Sequence, residues 1–432
     1  MKAPKQVIYP MRYISPLLSG GGDAEERFEA GLRSLLGADI PIIPLGRARA
    51  GLYLLAKYAR RSGRDRVIMM PYTIPDVINM IRFAGCEPVF VDTLPNSTNV
   101  DLDHLKTLID NRTCCVLLTH YHVIQERLAD ICELCRQRDV LLFDDCAISL
   151  EGDYHGARMG TITDGSVFSM SGFKTLNYVW GGAIATMHDD IGEIMRREVA
   201  GFPRLSSRKY GPHMLQVFKY DMATRDTLFS WITLPAMLRQ AQRTNGTDIL
   251  TFNRKETIVL EDTVLSRPAL GALKELTRKI DNVAEKLAHR RTIAAIYDRE
   301  LADWRASPDA SDIVRAGSCF FSYPVIVEPE ARGGILQEMM RQGFHVGSTL
   351  YPNAHEIDAF KGFAGRSTNA SALARSMVSL PTHPRVTADY ASALAQTLTR
   401  LLKKAKTQVV TFTASCMLLG SAYNGPIDML MG

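Results

Sequence analysis

At 432 residues the chain is longer than one hydrophobic core usually sustains, so a large domain with a smaller companion is expected. Its apolar and charged fractions, 46% and 22%, are those of an ordinary soluble protein, and no uncharged apolar run reaches the roughly 18 residues of a membrane span. A net charge of +5 with no Lys/Arg block argues against a nucleic-acid partner and leaves room for an anionic substrate. The eight cysteines form no disulfide framework and no secretory leader opens the chain, so a reducing cytoplasm is the expected compartment.

Residues 1–24 read as irregular. They hold Pro10, Pro16 and the Gly20-Gly21-Gly22 run, which no strand precedes, so a flexible arm is expected rather than a phosphate loop. Residues 25–36 look helical and Ile40 to Leu45 extended. Gly46 to Arg61 is a glycine-led turn feeding an amphipathic helix. Its N-terminal N–H groups, with Arg47 and Arg49, make either a phosphate seat or a basic helix start on the surface.

Regular alternation follows. Strands are predicted at Val67–Met70, Pro88–Val91, Cys114–Thr119 and Val140–Phe143, with helices at Asp76–Ala84, Leu102–Ile109 and Leu128–Arg138. Short apolar strands separated by helices imply a parallel sheet covered on both faces, with ligands beyond the strands' carboxyl ends. Those ends carry Pro71-Tyr72-Thr73, Asp92, His120-Tyr121-His122 and Asp144-Asp145. The Cys132/Cys135 pair sits mid-helix without a second ligand pair and is read as packing, and no metal is expected.

Neighbouring strand residues point to opposite faces, so Asp144 and Asp145 make a poor metal pair and only one of them faces a given ligand. An acid at one strand end, Ser169 at another, Lys174 beyond it and a Gly181-Gly182 pair form the set that pyridoxal phosphate requires. A carboxylate keeps the pyridine nitrogen protonated and a lysine bonds the cofactor and shuttles a proton.

The run from Arg66 to His122, LLFDDCAISLEG from Leu141 and GSVFSMSGFKTLNYVWGGAIAT from Gly165 resemble the DegT/DnrJ/EryC1/StrS sugar aminotransferases. The resemblance is good over 45–190 and fair over 267–400. It implies an α/β chain of the pyridoxal-phosphate transferase fold type I. A large domain with a mostly parallel seven-stranded sheet between helices would carry a smaller C-terminal α+β domain. The resemblance assigns Lys174 as the cofactor-bonding lysine, Asp145 as the partner of the pyridine nitrogen and Ser169 as a phosphate ligand. Arg49 stands in the family's phosphate loop with the Ala50 amide beside it. Tyr72 (or Ile74), Thr73 and His120 fall near the cofactor, and Trp180, Tyr351 and His355 on the substrate side. Departures are Ile148, where Gln or His is usual, Trp180, where Glu is common, and the lack of a partner-contributed Asn near Leu265–Arg267.

The expected divisions are an arm (1–30), a cofactor-binding domain (31–198), an insertion (199–266), a small domain (267–406) and a tail (407–432). The insertion, with Arg204, Arg208 and Lys209 before an apolar stretch around Phe229, Trp231, Ile232, Leu234 and Leu238, is either a helical lid or an interfacial element that touches a membrane and admits a lipid-linked sugar. The small domain should open on one long helix, Leu273–Leu301, followed by strands at Phe320–Ile326 and around Met377–Leu380. The tail, unlike the family's, is expected to be disordered or to pack on a dimer. Lysine rather than histidine at 174 makes the resemblance one to the aminotransferases, and the family's sites at a dimer interface imply a homodimer. It would move an amino group from an amino acid, glutamate by family habit, to a nucleotide- or lipid-linked keto-sugar in amino-sugar or polysaccharide assembly. The alternatives are a non-catalytic regulator on the same fold and a sugar-modifying enzyme of different outcome, such as a dehydratase.

Overall fold

The computed structural model describes residues 23–421 apart from 173, 224, 234, 237, 238, 240–259, 261, 262, 345, 349 and 350, with the backbone alone at 207, 208, 210, 217, 220, 221, 226, 230, 348 and 406–421. The Gly20–Gly22 run, Leu234 and Leu238 therefore lie outside the described residues.

Seven strands form the central sheet: β1 (Ile42–Leu45), β2 (Arg66–Met69), β3 (Glu87–Phe90), β4 (Thr113–Thr119), β5 (Leu141–Asp145), β6 (Gly165–Ser169) and β7 (Gly182–Ala185), in spatial order β1-β7-β6-β5-β4-β2-β3. Only β7 runs against the others, pairing antiparallel with β1 and β6. The strands are almost wholly buried, as continuous apolar runs in a sheet covered on both faces must be. One apolar core lies on each face. The helices that accompany these strands are α1 (Ala24–Leu36), before β1, α2 (Ala48–Ala59), α3 (Pro75–Phe83), α4 (Leu102–Leu108) and α5 (Leu128–Gln137), between strands, and α6 (Asp189–Ala200), after β7. Their starts follow local chemistry: Pro75 occupies the first turn of α3, and the Asp101 carboxylate accepts from the His104 amide to cap α4. Cys135 on α5 is buried and Cys132 half-buried. Burial pushes the two thiols up to about 12 and about 11, so they pack as protonated groups, as the sequence reading had it.

β5 extends to Asp145, two residues beyond the predicted strand, because the Leu118↔Asp144 and Thr119↔Asp145 pairs continue the ladder with β4. The chain then leaves the large sheet at Pro203–Leu205 and returns at Ser266–Arg267. Leu205 N–H donates to Arg267 O (3.0 Å), Arg267 N–H to Pro203 O (2.9 Å) and Gly46 N–H to Ser266 O (2.8 Å). The excursion includes α7 (Ser207–Ala223), which carries Pro212, then a helical turn at Asp226–Leu228 and a π-turn at Phe229–Thr233.

The long helix expected at Leu273–Leu301 is two, α8 (Leu270–Ile280) and α9 (Val283–Glu300). Asp281 and Asn282 interrupt it, both short polar residues that compete for local backbone bonds, and Asn282 N–H folds back to Lys279 O. A three-stranded antiparallel sheet follows, β8 (Ser322–Ile326), β10 (Met377–Pro381) and β9 (Gly347–Ser348) in that spatial order, with α10 (Pro329–Arg341), α11 (Thr368–Ser376) and the long α12 (Ala388–Ser421). The backbone of the tail is thus helical through Ser421.

Candidate active site

The carboxyl edge of the parallel strands brings the acid, the hydroxyl and the lysine to one corner. Asp144 and Asp145 leave β5 on opposite faces. Asp144 is fully buried. It accepts from Thr163 Oγ1 at 2.9 Å and meets His120 Nε2 at 3.0 Å. The Gln125 amide donates to His120 Nδ1 (3.3 Å), so the ring proton sits on Nε2 and is given to Asp144. His120, expected at the cofactor, is thus turned to the other acid by two hydrogen bonds. His120, Asp144 and Cys146 have potential ligand atoms within 4.8 Å of one another. Both histidine nitrogens are engaged, however, and burial holds the Cys146 thiol well above its usual range.

Asp145 takes a different environment. Its Oδ1 accepts from the Ala147 amide at 3.0 Å. Burial raises its pKa, opposed by that amide, by the Lys174 charge and by His120. A buried carboxylate so placed is completed by a cationic partner, and a protonated pyridine nitrogen is one. Lys174 is half-buried with Nζ 5.3 Å from the centre of the Phe321 ring, a contact from the small domain that the sequence did not announce.

The phosphate corner is built from β6, β7 and α2. Ser169 pairs in register with Gly182, and a Cβ on that glycine would lie 2.6 Å from the Ala48 nitrogen, so only glycine lets β7 abut the start of α2. Ser169 Oγ, 3.2 Å from Ser171 Oγ, therefore stands beside a helix N-terminus. The two ligands expected from this helix are otherwise engaged. The Arg49 guanidinium pairs with Asp76, whose acidic group opens α3, and the Ala50 amide donates to Arg47 O (3.1 Å). The Ala48 and Arg49 amides, with no carbonyl one turn back, are the donors that remain for an anion. Arg47 caps the helix and lies 3.8 Å over the Trp180 ring; His213 of α7 packs 4.2 Å from the same ring. Trp180 is thus buried between the phosphate turn and α7.

Tyr72 is fully buried in a tyrosine cluster, 5.2 Å from Tyr121 and 5.5 Å from Tyr351, and its hydroxyl reaches Met377 Sδ at 3.2 Å. It therefore joins the domains edge-on, leaving the half-buried Ile74 at the head of α3, while Thr73 is buried. Tyr351 belongs to that cluster and lies 5.0 Å from Tyr121. His355 makes two internal contacts, Nδ1 with Ser367 Oγ (3.1 Å) and Nε2 with Phe363 O (3.1 Å), so its ring fastens the loop rather than presenting a nitrogen to a substrate. The loop docks on the β2 end through Ala354 N–H to Pro71 O (2.7 Å). Ile148 is buried.

Two further buried ionisable groups stand nearby: His122, marked at a strand end from sequence but given no role, and Glu151, not singled out there. Burial pulls His122 down to about 4, so it is neutral; its Nδ1 meets Ser322 Oγ at 3.2 Å. Glu151 is 3% exposed with neither carboxylate oxygen hydrogen-bonded among the described residues, and burial pushes it up to about 8 against the pull of Arg290 and Lys286. His122 belongs to a strand end already marked and Glu151 follows one, but only the fold buries them. A cavity of about 390 Å³ lies instead at the strands' amino end, where its charges pair internally, Arg64 with Asp139 and His188 with Asp164.

This sheet order, with a lysine and a buried acid at the carboxyl edge, is that of pyridoxal-phosphate transferases of fold type I. The model of the DegT/DnrJ/EryC1/StrS aminotransferase family matches residues 15–241 and 275–399, and the chain belongs to that family. Among its relatives is the dTDP-4-dehydro-2,3,6-trideoxy-D-glucose 4-aminotransferase of Saccharopolyspora spinosa, 25% identical over 84% of this chain and 86% of that one. The GDP-perosamine synthase of Caulobacter vibrioides is 31% identical over a shorter stretch, 31% of this chain and 36% of its own. Among solved structures, Helicobacter pylori PseC, an aminotransferase involved in the biosynthesis of pseudoaminic acid, aligns with a TM-score of 0.68 at 18% identity, covering 90% of this chain and 94% of that one. The family is pyridoxal-phosphate-dependent, and a putative sugar aminotransferase of Streptococcus pneumoniae has been solved in PLP and PMP forms.

Proposed function

We propose that the protein moves an amino group from an amino acid, glutamate by family habit, to a keto-sugar carried on a nucleotide or a lipid, with pyridoxal phosphate as cofactor. The observation that carries this reading is that Asp145, buried at the carboxyl end of β5, and Lys174, just beyond β6, stand at one corner of the sheet, where the lysine's charge acts against the burial that raises the acid. Pyridoxal phosphate, when bound, supplies an electron sink for negative charge at the substrate carbon. Asp145 would keep a proton on the ring nitrogen. Ser169 Oγ and the amides heading α2 would hold the phosphate. Lys174 Nζ would bond the cofactor and carry the proton off the donor carbon and onto the acceptor carbon. Lys174→Ala should lose the visible absorption of bound cofactor and at least about 10³-fold in turnover. A colourless wild type that ignores added pyridoxal phosphate would end this reading, and turnover over a panel of nucleotide-linked keto-sugars with glutamate would refine it.

Family membership supports a homodimer, to be measured by light scattering. A peripheral contact with the cytoplasmic face of an anionic membrane belongs to the same reading. Residues 204–243 hold seven Arg and Lys against two Asp, which equals the +5 of the whole chain. Beside those charges Trp231, Ile232, Leu215 and Phe218 are 77%, 63%, 53% and 43% exposed. Cosedimentation with phosphatidylglycerol vesicles tests the contact. Binding that is absent at low salt, or a dimer that covers Trp231, would refute it.

A further inference from the structure

The loop that carries Lys174 is closed at its base by backbone bonds. Gly172 N–H donates to Tyr178 O (3.0 Å) and Tyr178 N–H to Met170 O (2.7 Å). Beyond that base the loop is held from outside, by two lysines of the helix pair α8 and α9. Lys286 of α9 donates from Nζ to Thr175 O at 3.1 Å, and Lys279 of α8 donates to Asn177 O at 3.0 Å. These carbonyls lie one and three residues after Lys174. Lys279 also lies 5.6 Å over the Tyr178 ring at the loop's base.

We propose that Lys279 and Lys286 are positioning residues for Lys174, a two-point clamp that sets where its Nζ stands relative to Asp145 and the phosphate corner. The inference rests on the reading of Lys174 as the cofactor's lysine. Three features support a clamp over a surface tether. Both ammonium groups are half-buried, where a charged donor to a carbonyl is screened less and bonds more strongly than a neutral one. Both bonds fall on main-chain oxygens, so they constrain the loop path and not one rotamer. The burial that pulls Lys279 down to about 8 and lowers Lys286 is a cost that a tether in solvent would not carry. Glu151 and Arg290 face Lys286, and Glu275 faces Lys279, as the charges that tune this pair.

The test uses the full chain without cofactor. Lys279→Met and Lys286→Met remove the donor at similar volume, and Lys286→Arg keeps one. Hydrogen–deuterium exchange should quicken by about tenfold over residues 172–178 in each methionine variant, with melting temperature little changed and exchange nearer wild type in the arginine variant. Affinity for pyridoxal phosphate, read by its visible absorption, should weaken by a similar factor. Exchange that rises evenly through α8, α9 and the small domain would make the lysines structural ties and overturn the clamp. A wild type that binds the cofactor, with both methionine variants unchanged in both readouts, overturns the clamp alone. A wild type that ignores the cofactor ends the aminotransferase reading, and the purpose assigned to the clamp with it.

Discussion

Two regions of this chain handle charge in opposite ways. At the carboxyl edge of the sheet, Asp144, Asp145, His120 and Lys174 are buried or half-buried, and the acids meet partners within the fold. In the excursion between Leu205 and Ser266, the described Lys209, Lys219, Arg225 and Arg239 are exposed beside bare Trp231 and Ile232. A buried charge is costly without a partner, so the first region tolerates few substitutions and specifies a chemistry. An exposed one costs little and acts at a distance, so the second specifies where the chemistry is done and on what.

The sharpest way to break this contrast is within the acid pair. Asp145→Asn should reduce turnover on the order of 10²-fold or more while the protein still melts normally, because a neutral amide does not hold the ring nitrogen's proton. Asp144→Asn should do the reverse, costing about 1–3 kcal/mol of stability through His120 and Thr163 with turnover nearly kept below the melting transition. Equal effects of the two would mean that the faces were misassigned.

The excursion can be tested by removal, since its ends near Leu205 and Ser266 are already fastened through Arg267 and Gly46. Replacing 206–265 by a short Gly/Ser linker should leave cofactor absorption intact, abolish vesicle binding and raise KM for the sugar through the lost His213 contact on Trp180. Loss of the cofactor instead would show that the excursion is part of the fold. A smaller change, Trp231→Ser, should weaken vesicle binding by roughly tenfold without altering turnover on a soluble substrate.

Glu151 gives the gentlest effect and a sign that can be checked. Its folded pKa is raised, so the folded state holds a proton that the unfolded chain has released between about pH 4.5 and about 8. Stability from this group is therefore present below the unfolded value and falls as pH rises across that window. Glu151→Gln should be near neutral at pH 5 and stabilising by roughly 1–2 kcal/mol at pH 9, measured by paired thermal melts.

Much of the large domain was legible from sequence because its strands are short continuous apolar runs and its helices are amphipathic, so burial and periodicity point to one answer. The boundary errors have local causes. β5 runs on to Asp145 because the neighbouring strand, and not the polarity of the residues, decides where a ladder stops. α8 and α9 part at Asp281-Asn282, whose polarity a long periodic pattern had obscured. At the site, the residue types and their places at strand ends were visible, but their partners were not.

What the sequence by itself indicated is the kind of chemistry: Asp145, Ser169 and Lys174, in that order at and beyond the ends of buried strands, match the set by which the family holds a phosphorylated pyridine cofactor. Tertiary structure alone decided which groups remain available. Asp76 lies 27 positions from the Arg49 it neutralises, Ser367 and Phe363 close on His355, and α8 and α9 bring Lys279 and Lys286 about a hundred residues back to the Lys174 loop. Spacing along a chain registers what shares a strand or a helix face; contacts between distant segments depend on how the two cores close.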